Sequence, residues 1–149
     1  MEQAKGLVDS GDFTTAALRL ETAREIRPSD ATILFRLGSL HYDLRRYDLA
    51  RDYVQEAASL APSEWLYHYL LGLIEQSAKH WQQARRSLET AVELQPSAAE
   101  VHNALGQVAL AEGDAKRAVE SFQRAVELDP KQQAYRENLK AARLAAVKR

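Results

Sequence analysis

Two histidines, His68 and His102, stand 34 residues apart, and His41 and His80 complete the set of imidazoles in the chain. Cysteine is absent, which removes disulfides, thiolate chemistry and Cys-based zinc sites. A metal site built on imidazole needs three or four ligands converging on one point. Glu75, seven residues past His68, is placed to share a helix face with it. Scattered histidines of this kind read as packing or surface residues, and no metal site is expected. Nucleophilic and phosphate chemistry leave local signatures, and no HExxH, GxSxG, P-loop or GxGxxG pattern occurs. No catalytic or cofactor-binding residue is therefore assigned, no cofactor is expected, and the chain is read as a non-enzyme.

The spacing that places two histidines in step governs the whole chain. Pro28, Pro62, Pro96 and Pro130 recur with the same 34-residue period. A fixed period of this size marks a stacked repeat array. Counted back from each proline, a large aliphatic comes two residues earlier (Ile26, Leu60, Leu94, Leu128) and alanine five earlier (Ala23, Ala57, Ala91, Ala125). An apolar residue comes eight earlier (Leu20, Val54, Leu88, Phe122) and alanine again twelve earlier (Ala16, Ala50, Ala84, Ala118). Leu-Gly pairs recur upstream as Leu37-Gly38, Leu71-Gly72 and Leu105-Gly106, with Gln3-Ala4 in the shortened first copy.

Ala16, Leu20 and Ala23 and their equivalents fall at i, i+4 and i+7, one face of a helix. Leu34, Leu37, His41 and Leu44 do the same upstream. Short breaks separate the two stretches: Ser10-Gly11-Asp12, Arg45-Arg46, Lys79-His80 and Gly113-Asp114. The unit is thus two antiparallel helices joined by a tight turn. Ser29, Ser63 and Ser97 follow the first three prolines as expected helix N-caps, and Ser97 with Glu100 has capping-box spacing. The mid-helix glycines each cost about 1 kcal/mol relative to alanine. A shared packing reason is expected: Gly38 facing Ala50 and Ala57 on its partner helix, small against small.

Length, charge and composition set the bounds. The chain has 149 residues, 46% apolar and 28% charged, as in an ordinary folded domain. A net charge of −1 gives no drive toward nucleic acid or an anionic membrane surface. No apolar run is long enough to span a bilayer, and the N-terminal residues lack the pattern of a secretory signal, so a cytoplasmic location is expected without membrane insertion. The first helix lacks its leading turn in the repeat register, which fits a piece cut from a longer protein. After Pro130, Tyr135, Leu139, Ala142 and Val147 give an apolar side and Arg136, Lys140 and Arg143 a polar one. This segment reads as the terminal cap that a repeat array needs for solubility.

A 34-residue helical hairpin with Leu-Gly, Ala-x3-(large apolar), Ala and Pro resembles the tetratricopeptide repeat, best seen in Leu105-Gly106, Ala118, Phe122, Ala125 and Pro130. The resemblance covers residues 1–130. It implies an all-α, right-handed α-solenoid of helical hairpins in a single domain, 1–149. The expected repeats are 1–30 (truncated), 31–64, 65–98 and 99–132, with a capping helix at 133–149. The family's usual aromatics are replaced at Leu34, His68 and His102 and at His41, Glu75 and Ala109, which alters packing detail. A related RNA-reading repeat lacks this Gly/Ala/Ala/Pro frame.

In the resembling family the first helices line a concave, peptide-binding face. By register that surface comprises Thr32, Phe35, Ser39, Tyr42 and Asp43, then Leu66, Tyr69, Leu73, Gln76 and Ser77, then Glu100, Asn103, Gln107, Leu110 and Ala111. Lys5, Val8 and Asp9 would open it at the N-terminal end. Phe35, Tyr42, Leu66, Tyr69 and Leu73 form an apolar patch, and such patches mark interaction sites. The expected ligand is an extended peptide or an amphipathic helix, with the amides of Gln76, Asn103 and Gln107 bonding its backbone. Phe35, Ser39, Leu70, Glu100 and Ala104 stand where some members hold a cationic clamp for C-terminal carboxylates, so tail recognition of that kind is not expected. The function expected is a protein-interaction scaffold, with self-association into a homo-oligomer as the alternative.

Overall fold

The computed structural model describes the backbone of residues 2–148 and the side chains of residues 12–148. Lys5, Val8 and Asp9 therefore lie outside the described side chains. The described residues form eight helices: α1 (Glu2–Ile26), α2 (Ala31–Asp43), α3 (Tyr47–Leu60), α4 (Trp65–Ser77), α5 (Trp81–Leu94), α6 (Ala99–Ala111), α7 (Ala115–Leu128) and α8 (Gln133–Val147). They divide into two compact units, residues 1–62 with α1 to α3 and residues 63–149 with α4 to α8. Pairs α2–α3, α4–α5 and α6–α7 are the helical hairpins that the period foretold, and α8 packs on α7.

The hairpin turns share one geometry. Arg45, Lys79 and Gly113 occupy equivalent places and all have positive φ, at 58°, 62° and 82°. The amide of the next residue then reaches back to the last turn of the first helix: Arg46 to the His41 carbonyl, His80 to Glu75 and Asp114 to Ala109, each at 2.8 Å. This left-handed closure satisfies carbonyls that a helix end otherwise leaves bare. Gly11 stands in the same register, yet no turn forms there. α1 runs unbroken through Ser10-Gly11-Asp12, so the expected short first hairpin is replaced by one 25-residue helix. Ala16, Leu20 and Ala23 are half-buried, whereas Ala50, Val54 and Ala57 in α3 are sealed.

The glycines pack differently from the small-against-small expectation. A methyl group placed on Gly72 would lie 2.6 Å from Cγ and Cδ2 of Leu88, and one on Gly106 would lie 2.6–2.8 Å from three atoms of the Phe122 ring. Gly38 meets a Val54 methyl in the same way, with the Ala50 carbonyl beside it. Each glycine is thus a socket for the large residue of the partner helix, and the alanines flank that knob. Burying each such knob is worth roughly 1.5–3 kcal/mol, which outweighs the glycine's helix-propensity cost. The helix starts also fall one residue later than expected. The N-caps are Asp30, Glu64 and Ala98, and the preceding serines sit in the turns. Of these three, only Asp30 caps through its side chain, accepting from Thr32 and Ile33 amides at 3.0 and 3.2 Å. Ser97 and Glu100 form no capping box, because Ala98 holds the cap position.

In residues 1–62 a polar cluster joins the three helices. Tyr53 on α3 donates to the Glu21 carboxylate at 2.8 Å, accepts from Arg24 at 3.2 Å, and stacks on His41 with ring centroids 5.4 Å apart. Burial holds the His41 imidazole below its usual pKa of 6.5; the Arg46 charge adds to this, and Glu21 opposes it. Its Nδ1 is shut from solvent without a hydrogen-bond partner among the described residues.

Two outcomes follow from this packing. Gly72→Leu should overfill the socket under Leu88 and destabilise the protein by about 1–3 kcal/mol, read as a lowered denaturation midpoint, with Leu88→Ala restoring part of the loss. For His41, the unfolded chain binds the proton more readily. The stability owed to its neutral form is complete above about pH 6.5 and is lost as pH falls through the lowered folded value. Thermal melts of His41→Phe between about pH 7.5 and 5 should accordingly vary less with pH than those of the parent.

Candidate binding surfaces on the first helices

In residues 1–62 the first-helix surface is carried by α2. Phe35 and Ser39 are half-buried and line an open cleft of about 470 Å³ with Ala16, Arg19 and Leu20 from α1 and Arg36 and Asp43 beside them. Tyr42 points elsewhere along α2, half-buried, with its ring 6.0 Å from Tyr47 across the hairpin turn. The two cations of this cleft, Arg19 and Arg36, were missed by the repeat reading. Their signal is weak, because neither has a like residue one period away.

In residues 63–149 the surface is carried by α4 and α6. Leu66 is 42% exposed. Tyr69 and Leu73 are half-buried and rest on the core formed by Ala84, Leu88, Ala91, Ala98, Val101, Ala104 and Val108. Part of each side chain thus supports the packing of consecutive hairpins, and part stays open. Leu110 stands similarly against Phe122 and Leu139. Trp65 sits one helical turn before Tyr69 with ring centroids 6.1 Å apart, and it belongs to this aromatic edge although the repeat register did not single it out. An i, i+4 aromatic pair was the available signal.

The amides behave differently from a free row of ligand contacts. Gln76 on α4 donates from Nε2 to Gln107 Oε1 on α6 at 3.0 Å. Asn138 on α8 donates to Asn103 Oδ1 at 2.8 Å. Successive first helices are therefore bridged by amide pairs across the same surface. Each amide has two donor hydrogens and an acceptor oxygen, so one bridge leaves further capacity in the pair. Gln76 Oε1 is closed off from solvent and has no hydrogen-bond partner among the described residues.

The histidines and carboxylates are drawn into structure. Glu75 is buried and meets His80 Nδ1 at 2.7 Å. His102 Nε2 lies 2.9 Å from the Pro96 carbonyl. Among the described residues no group of three or more His, Cys, Asp or Glu side chains gathers to hold a metal, and no helix is long and apolar enough to cross a membrane.

Helical hairpins closed by glycine sockets and stacked through their first helices define an all-α helical repeat protein. The tetratricopeptide repeat family model matches residues 1–65 and 69–133, and the chain belongs to that family, an all-α fold of the solenoid class. Solved structures agree. A crystal structure of MamA shares 22% identity over 94% of this chain and 85% of that one, with a TM-score of 0.83. MamA residues 41 to the end from Desulfovibrio magneticus RS-1 share 26% identity over 85% and 72%, with a TM-score of 0.77. The first tetratricopeptide domain of Spaghetti (RPAP3), bound to the HSP90 peptide SRMEEVD, shares 20% identity over 78% and 93%, with a TM-score of 0.77. No curated protein matches the chain significantly in sequence.

Proposed function

We propose that this protein is a non-enzymatic interaction scaffold that takes a peptide or an amphipathic helix of a partner protein on its first-helix surfaces. The observation that carries the reading is the open apolar edge of α4. Leu70 and Ile74 on one side of that helix are buried, while Leu66, Tyr69 and Leu73 on the other keep apolar area in solvent. An apolar edge flanked by amides suits a ligand with apolar anchors and a hydrogen-bonding backbone. Gln76, Gln107 and Asn103 serve that backbone with the capacity left beyond their bridges, and Leu110 extends the edge along α6. In residues 1–62, Phe35 and Ser39 offer a second seat, bordered by Arg19 and Arg36, and Tyr42 adds an aromatic contact on the same helix.

The RPAP3 domain was solved with an acidic peptide. Here the places read as a carboxylate clamp hold Phe35, Ser39, Leu70, Glu100 and Ala104, with Leu70 and Ala104 buried. This supports an apolar-anchored ligand for these surfaces over a carboxylate-terminated tail.

Leu66→Asp combined with Leu73→Glu is the direct test. Affinity capture from an extract identifies the partner with the parent protein, and titration with that purified partner then measures the variant. Loss of about 2 kcal/mol, roughly thirtyfold in affinity, is expected, with helix content by circular dichroism unchanged. Unchanged affinity removes the surface from the assignment. A chain that becomes dimeric with concentration through the same two residues, seen by light scattering, replaces the adaptor with a self-associating module.

A further inference from the structure

The repeat register carries the first-helix pattern into α8. In α6, Gly106 and Ala109 face α7, Gly106 under the Phe122 ring and Ala109 in a buried cluster with it, while Leu105 packs against the core shared with α5. One period later, α8 carries Leu139, Lys140 and Arg143 in those places. Lys140 and Arg143 are exposed, whereas Leu139 is buried against Phe122 and Ala142. An open cleft of about 460 Å³ lies there, floored by Val126 of α7 and Leu139, Leu144 and Val147 of α8 and rimmed by Arg136, Lys140 and Arg143. Leu144 is 58% exposed and Val147 84% exposed. Apolar residues this open beside a cleft mark an interaction site.

The charge of the rim defines what fits. Where the other first helices carry glycine and alanine, α8 carries lysine and arginine, so a helix cannot approach as closely as α7 approaches α6. Long cationic side chains instead lie along the apolar body of a docked helix and present their charges at its flanks. The neighbouring carboxylates are engaged elsewhere: Glu127 with Arg124 and Gln123, Glu137 with Gln133. Arg136 donates to the Pro130 carbonyl, and Lys140 and Arg143 have no ionic partner among the described residues. The second-helix face left open on α1, Ala16 and Leu20, carries Arg19 beside it. A second copy docking by that face would bring like charges together. We propose that the α7–α8 cleft is a docking site, separate from the first-helix surfaces, for an acidic amphipathic helix of a partner protein. Such a helix places apolar residues at i, i+4 and i+7 on Val126, Leu139 and Leu144, and its carboxylates meet Arg136, Lys140 and Arg143.

The test uses the intact chain and two fluorescent peptides built on residues 114–130, the segment that fills the equivalent seat on α6. One bears Lys116→Glu, Arg117→Glu and Arg124→Glu; the other bears Glu120→Lys and Glu127→Lys. By anisotropy titration at about 50 mM salt the acidic peptide should bind about tenfold more tightly, and the difference should shrink at about 0.5 M salt. Lys140→Glu with Arg143→Glu in the protein should invert the order, and Leu144→Asp should abolish both interactions; all three positions are exposed, and circular dichroism checks the fold. Failure of both peptides to bind, equal binding of the two, or an order unaffected by the charge reversal overturns the proposal. So does a concentration-dependent dimer that Leu144→Asp dissolves, since the seat would then belong to a second copy.

Discussion

A large side chain seated over a glycine sets the spacing on which everything else in each hairpin depends. Val54, Leu88 and Phe122 are sealed from solvent, and each presses into the gap left by a missing Cβ on the opposite helix. Because the knob needs the backbone of the first helix within van der Waals reach, the residues on either side of it along the second helix must be small. Ala50 and Ala57, Ala84 and Ala91, and Ala118 and Ala125 are all fully buried for that reason. The left-handed residue at each turn sets where the second helix starts, so knob and socket come into line. With that face committed, the opposite face of each first helix is left with a partial role. It packs against the next first helix within a unit and keeps the remainder of its surface for solvent or a ligand.

The two ends illustrate the same constraint by its absence. α1 has the alanine–leucine face of a second helix, and Ala16, Leu20 and Ala23 are half-buried. α8 has the register of a first helix, and its socket position is lysine. Replacing the small residues with cations removes the tight approach that would otherwise expose an apolar socket. What remains is an apolar floor inside a charged rim, chemically unlike the glycine sockets within the array. Membership of the tetratricopeptide repeat family thus fixes the hairpins, while the termini and the first-helix surfaces are where this chain is individual.

The amide bridges on the surface of residues 63–149 bear on how a ligand would be read. Gln76 with Gln107, exposed, and Asn103 with Asn138, partly buried, tie successive first helices together. A surface wired in this way is held in register before anything binds, which lowers the ordering cost of binding. It also means that these amides are shared between structure and recognition, as Tyr69 and Leu73 are shared between the core and the open edge.

The period, the helical pairing, the turn positions at Arg45, Lys79 and Gly113, and the buried alanine rows were legible in the residues alone, because each is a local pattern repeated until chance is excluded. Which residue each glycine meets was not legible. Ala50, Val54 and Ala57 all lie on the inward face of one helix, and only the rotation of two packed helices selects Val54. The same holds for the caps, which moved from serine to Asp30, Glu64 and Ala98 because the turn after each proline takes one more residue than the pattern implied. Glu75 found His80, and Gln76 found Gln107, through contacts that no spacing rule specifies. Sequence alone determined that paired helices must form and which faces they bury, since helical periodicity carries that information within a few turns. Tertiary structure alone decided which side chains meet, because that depends on the distance and rotation between helices, and these are set by the summed volumes of residues far apart in the chain.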